Sequence, residues 1–156
     1  MNKQKGFSLI ELLIVVAIIL IIAAIAIPNL LKSRMAANEA SAVGSLRMLN
    51  TAEATYSSGC PNVGFSATID ELNTGAICAS GTGMIDNLLA TGNKSGYAFT
   101  YAAATNGAPV NTTYTVSAVP QKIAVTGQRG FFSDQTGVIR YTLDGSAPTN
   151  AASALQ

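Results

Sequence analysis

Histidine is absent from this 156-residue chain, and so is tryptophan. Without histidine the chain lacks the commonest general base and metal ligand, and a nucleophilic triad has no base to build on. Charge is also scarce: 11% of residues are Asp, Glu, Lys or Arg, where about 25% is usual. Nine basic and eight acidic side chains leave a net charge of +1. No basic stripe stands out, which argues against binding nucleic acid through charge. Cysteine is limited to Cys60 and Cys78, too few to complete a zinc site without histidine. Gly81-Thr82-Gly83 is not followed by Gly-Lys-Ser/Thr and is no phosphate loop. Asp70 and Glu71 are neighbours in sequence, a spacing that suits a solvated surface and does not set two carboxylates across a substrate. Asp134 and Asp144 lie in or near turns, outside any EF-hand pattern. No catalytic residue, metal or other cofactor is assigned, and the chain reads as a non-enzyme.

What the chain does have is concentrated at its start. Met-Asn-Lys-Gln-Lys-Gly, residues 1–6, is a short leader with positive Lys3 and Lys5. From Phe7 to Ile27 every residue is apolar except Ser8 and Glu11. That run is close to the ~20 residues a helix needs to cross a bilayer. The positive-inside tendency keeps the lysines cytoplasmic and sends the rest of the chain outward. One reading is a cleaved secretory signal, with Ala24-Ile25-Ala26 as its A-x-A site, but the run is long for that. A second is a simple anchor, which explains the length and leaves Glu11 unexplained. A carboxylate in a membrane helix costs roughly 2.5–3.5 kcal/mol on insertion scales.

Gly6-Phe7-Ser8-Leu9-Ile10-Glu11, then Leu12-Leu13-Ile14-Val15-Val16-Ala17-Ile18 and later Ala26-Ile27-Pro28, resembles the N-terminal signature of type IV pilins and of the pseudopilins of type II secretion. The resemblance implies that a prepilin peptidase cuts between Gly6 and Phe7 on the cytoplasmic side and methylates the new Phe7 amine. It implies that Glu11 meets the Phe7 ammonium of a neighbouring subunit and so sets the register of assembly. The physics is consistent: in an apolar medium the attraction is much stronger than in water. Removing one partner of such a pair typically costs about 3–5 kcal/mol.

Beyond Pro28 a helical pattern continues. Leu31, Met35, Ala42, Leu46, Leu49 and Tyr56 recur on roughly one face, while Lys32, Arg34, Asn38, Glu39, Arg47 and Glu53 supply polar positions. The expectation is one helix from Phe7 to Tyr56, spanning roughly 75 Å, with Pro28 kinking or loosening it. Ser57-Ser58-Gly59-Cys60-Pro61 should end it. Short helical turns are expected at 68–72 and 84–89. Strands are expected at 97–103, 113–119 and 130–133, the last paired with 138–143 through the turn Asp134-Gln135-Thr136-Gly137. The tail, 145–156, is small, polar and expected to be poorly ordered. The expected fold is therefore α+β and pilin-like: a long N-terminal helix packed on a small antiparallel sheet. The segments are a leader (1–6), an apolar membrane or filament-core helix (7–28), its amphipathic continuation (29–56) and a globular head (57–156).

Placed outside the cytoplasm, Cys60 and Cys78 are candidates for a disulfide, which would close a loop of about 19 residues worth roughly 3 kcal/mol; two buried thiols are the alternative. The resemblance implies a structural subunit that waits in the bacterial inner membrane and then joins a surface pilus. Its partners would be copies of itself, the prepilin peptidase/methyltransferase and the pilus assembly machinery. A pseudopilin of a type II secretion system is the runner-up, and a membrane-anchored binding module that never polymerises is a third reading.

Overall fold

Between Phe7 and Val43 the chain contains no glycine and a single proline. Little therefore opposes helix formation over this stretch, and the computed structural model carries one helix, α1, at Leu9–Gly59. The structure describes residues 7–75 and 83–155. Pro28 lies inside α1; its missing N–H leaves the Ala24 carbonyl without its usual donor. The helix stops inside the Ser-Ser-Gly-Cys-Pro cluster, as its turn-forming residues require. The chain divides into two compact units, Met1–Arg34 and Met35–Gln156.

In the first unit the large apolar side chains are exposed all round the helix, from Phe7 and Leu9 through Ile27, Leu30 and Leu31. A contiguous apolar surface of this size needs a cover of lipid or protein.

The second unit is the head. Its later elements are two short helices, α2 (Ile69–Thr74) and α3 (Asn87–Ala90), and six strands: β1 (Asn93–Lys94), β2 (Tyr97–Ala104), β3 (Thr113–Pro120), β4 (Gly130–Asp134), β5 (Arg140–Thr142) and β6 (Ser153–Ala154). The strands form one antiparallel sheet in sequence order. Alternation along β2 and β3 places Tyr97, Phe99, Tyr114, Val116 and Ala118 in the core. There they meet Ala42, Leu46, Leu49, Ala52 and Tyr56 of α1, with Phe131 of β4 and Leu72 and Leu89 of the short helices.

The expected helices and the three longer strands are present, with shifted ends. The helical turn expected at 84–89 starts only at Asn87, because the Asp86 side chain accepts from the Leu89 N–H at 3.0 Å and caps it there. The expected strand 138–143 shortens to Arg140–Thr142. One reason is that Asn50 of α1 takes the Gly137 carbonyl at 3.2 Å, drawing the turn toward the helix.

The tail is the larger departure. Pro148 is buried and lines a pocket with Phe132, on the face of β4 away from α1. Arg140 Nη1 donates to the Ala152 carbonyl at 3.1 Å, and the Leu155 N–H donates to Ile139 at 2.7 Å. Residues read as a poorly ordered tail thus cover Phe132 and end as the last strand of the sheet. With α1 and the core on one face and the tail on the other, all five residues of β4 are buried. Gly130 is required here, since a Cβ at that position would lie 1.9 Å from the Ser146 carbonyl oxygen.

Candidate functional site

Phe7 precedes the first turn of α1 and is 88% exposed. Gly6, on the other side of the expected cleavage point, lies outside the described residues, as does Cys78. Ser8 occupies the N-cap position, and its backbone N–H donates to Glu11 Oε2 at 3.0 Å. Ser8-Leu9-Ile10-Glu11 has the spacing of a capping box, with the carboxylate reaching back from the third helical position. Within its own chain Glu11 therefore satisfies an otherwise orphaned donor and sits at the positive end of the helix dipole. The Ser-x-x-Glu spacing is the sequence signal for that local role. It leaves Glu11 Oε1 with no intrachain hydrogen bond among the described contacts, so the carboxylate retains acceptor capacity for a cation brought from outside.

A second set of polar groups fixes where the head grips α1. Glu39 and Glu53 are expected at polar positions of the helix, yet both are buried, Glu53 completely. Residues 39, 42, 46, 49, 53 and 56 form one alternating three- and four-residue stripe, the spacing of a buried helix face. Both carboxylates stand in it and had to find donors from the head.

Glu39 accepts the backbone N–H groups of Gln128 and Arg129 at 2.9 and 3.1 Å, and Arg129 Nε at 2.7 Å. One residue earlier, Asn38 Nδ2 donates to the Thr126 carbonyl at 2.8 Å. Burial acts to raise the Glu39 pKa, but the Gln128 and Arg129 hydrogen bonds and the Arg129 charge outweigh it and hold the carboxyl below its ordinary value. Arg129 also lies over Phe131 and Tyr141, 5.6 and 6.0 Å from the ring centres.

Further along the helix, Asn50 accepts from the Tyr114 hydroxyl at 3.0 Å and donates to Ser133 Oγ at 2.8 Å. Glu53 is met by the Ser66 N–H at 3.0 Å, the Ser66 hydroxyl at 2.5 Å and the Tyr101 hydroxyl at 2.6 Å. Burial pushes its carboxyl up, the Ser66 and Tyr101 hydrogen bonds pull it back, and the net direction is upward. Tyr56 donates to Glu71 at 3.3 Å, and burial with that neighbouring charge pushes its pKa up to about 12.

The two carboxylates have opposite pH signatures. A depressed folded-state pKa means that Glu39 contributes stability above its unfolded pKa and loses it as pH falls through the folded value. Glu53, with a raised folded-state pKa, binds its proton more tightly in the folded head and favours folding as pH falls. Urea unfolding of the full chain in mild detergent should show Glu39→Gln less stable than wild type at neutral pH. The gap should begin to narrow as pH falls below the ordinary carboxyl value of 4.5 and close as it passes through the lowered folded-state value. A gap independent of pH would mean that the charge of Glu39 is immaterial.

Asp134 and Asp144 serve their own turns, the first accepting from Thr136 and the second from Ser146. Among the described residues no three acidic or cysteine side chains gather at one point. Cys60 is buried just past the end of α1.

A family model described as the prokaryotic N-terminal methylation motif matches residues 1–27. The chain is 39% identical over 107 residues to fimbrial protein Q of Moraxella bovis, covering 67% of this chain and 68% of that one. It is 64% identical over 39 residues to the type IV wide pilus major component PilA4 of Thermus thermophilus, 25% of this chain and 30% of that one. It is 48% identical over 54 residues to the type IV major pilin protein PilA of Myxococcus xanthus, 35% of this chain and 24% of that one. No solved structure matches.

Proposed function

This chain belongs to the type IV pilin family, and we propose that it is a structural subunit of a type IV pilus, held in the inner membrane by its N-terminal helix until it is polymerised at the cell surface. The observation that carries this reading is the methylation motif over residues 1–27 joined to a helix whose large apolar side chains are exposed on every side. A soluble monomer has no use for such a surface. A subunit that moves from lipid into a filament needs it twice, first against acyl chains and then against the same segments of other copies. Contacts between unlike faces of identical subunits repeat without closing and generate an open helical filament.

In this reading the peptidase cuts between Gly6 and Phe7, removes Lys3 and Lys5, and leaves a methylated ammonium on Phe7. Glu11, which already caps its own helix through Ser8, offers its remaining acceptor capacity to the Phe7 ammonium of the next subunit. Pro28 is the weak point at which α1 can loosen during assembly. Cys60 and Cys78 form a disulfide that ties the segment after α1 to the head. The role is mechanical, with no catalysis.

The similarity to fimbrial protein Q over two thirds of both chains supports a pilus over a type II secretion pseudopilus. Immunogold electron microscopy of host cells tests the choice. Long surface filaments decorated by antibody to the head are the expected result. Bare cells, together with loss of protein secretion on deletion, would favour the pseudopilus and overturn the proposal.

A further inference from the structure

The loop joining β3 to β4 carries a run of exposed residues, Gln121, Lys122, Ile123, Ala124 and Val125. Ile123 and Val125 are 56% and 54% exposed. Ala124 adopts a positive φ of 63°, which turns the chain sharply between them. The loop is nonetheless closed on itself. The Lys122 N–H donates to Thr126 Oγ1, the Val125 and Thr126 N–H groups donate to the Lys122 carbonyl, and the Ala124 N–H donates to the Gly127 carbonyl. At its base the Gln121 N–H donates to Gly96, and Asn38 Nδ2 of α1 holds the Thr126 carbonyl. Most of its backbone donors are thus satisfied inside the head, leaving two aliphatic side chains and one lysine outermost. Satisfied backbone with apolar side chains outward is what a segment needs to enter the apolar edge of a bilayer.

Chain connectivity supplies the occupant. The loop is bonded to Asn38, close to where the chain enters the head, and only ten residues separate Ile27 from Asn38. Even fully extended, ten residues reach no more than about 36 Å. Those ten include Lys32 and Arg34 and no acidic residue, and residues 121–128 include Lys122 and no acidic residue. The local charge therefore suits anionic lipid headgroups.

We propose that Gln121–Val125 is a membrane-docking loop. In the unassembled subunit Ile123 and Val125 seat in the interface of the bilayer that the N-terminal helix spans, with Lys122 at the headgroups. This rests on the proposed membrane-anchored state and adds a second, reversible contact that must be released before the head can leave the membrane.

The absence of tryptophan makes a clean test. Full-length chain carrying Ile123→Trp is reconstituted into phosphatidylcholine–phosphatidylglycerol vesicles, with and without brominated acyl chains. Gln135→Trp is the control, in the turn held by Asn50, about 18 Å further along α1 than Asn38. The expected result is blue-shifted emission quenched by brominated lipid for Trp at 123 and not at 135. Val125→Trp repeats the measurement at an independent position, and near-ultraviolet circular dichroism confirms that each head is folded. Flotation of the vesicles reports separately on the anchor. Protein that floats with vesicles but shows no quenching at either 123 or 125 overturns the loop proposal alone. Protein that does not float overturns the anchored state and the loop with it. Shielding of position 123 seen only in assembled filaments would assign the loop to a second copy of the chain and overturn the proposal.

Discussion

Replacing Glu11 by alanine should abolish filaments while leaving the subunit in the membrane. Two losses combine in that variant. The Ser8 N–H loses the acceptor that caps α1 at 3.0 Å, worth about 1 kcal/mol. In the proposed assembly the Phe7 ammonium of the neighbouring subunit would also lose its counter-charge in an apolar setting, worth about 3–5 kcal/mol. A deficit of that size weakens each subunit contact roughly a hundredfold or more, and every step of polymerisation repeats it. Glu11→Gln separates the two effects. Glutamine still accepts from the Ser8 N–H but carries no charge. If the pair is what matters, the glutamine variant assembles as poorly as the alanine variant. If capping is what matters, glutamine restores filaments. Quantifying sheared surface filaments against membrane-bound subunit reads both outcomes.

The largest expected effect on stability lies at Glu53. Glu53→Ala removes the acceptor from the Ser66 N–H, the Ser66 hydroxyl and the Tyr101 hydroxyl in a site with no solvent exposure. The Tyr101 hydroxyl can fall back on the Ser66 carbonyl, 2.9 Å away, but the Ser66 N–H loses its carboxylate partner. A stranded buried donor costs about 1–3 kcal/mol, and the vacated volume adds a cavity penalty. The expected loss is about 3 kcal/mol or more. At a urea dependence of about 1–3 kcal/mol/M, the unfolding midpoint should fall by a molar or more. Glu53→Gln should lose much less, because the amide oxygen can face the Ser66 N–H while the amide nitrogen donates to the Tyr101 oxygen. Equal stability of the alanine variant and wild type in detergent-solubilised full chain would contradict this view of the cluster.

Much of the architecture was legible because local signals agreed. The helix follows from a long glycine-free run and a stripe of apolar residues, and its end from Ser-Ser-Gly-Cys-Pro. Strands β2 and β3 follow from Tyr97, Phe99 and Tyr101 and from Tyr114, Val116 and Ala118 alternating at period two. The N-terminal motif is contiguous, so the family resemblance is legible in the sequence. What escaped was non-local. Glu39 and Glu53 carry charge, and charge argues for solvent; only Gln128, Arg129, Ser66 and Tyr101, brought from distant parts of the chain, make their burial tolerable. Their place in the stripe that starts at Glu39 and runs through Ala42, Leu46, Leu49 and Glu53 to Tyr56 is the clue the sequence offers. The tail escaped because alanine, serine, threonine and proline carry little periodic signal, and its order depends on Phe132 needing a cover. The capping role of Glu11 is local by contrast, carried by the Ser8-Leu9-Ile10-Glu11 spacing alone.

The mass and N-terminal sequence of the mature protein purified from its native host test the central claim most directly. The account predicts a chain that begins at N-methylated Phe7, with residues 1–6 removed and Glu11 retained as the fifth residue. A chain beginning at Ile27, after Ala24-Ile25-Ala26, would mean ordinary signal cleavage. That product would lack Glu11 and the apolar helix, and it would contradict the pilus account outright.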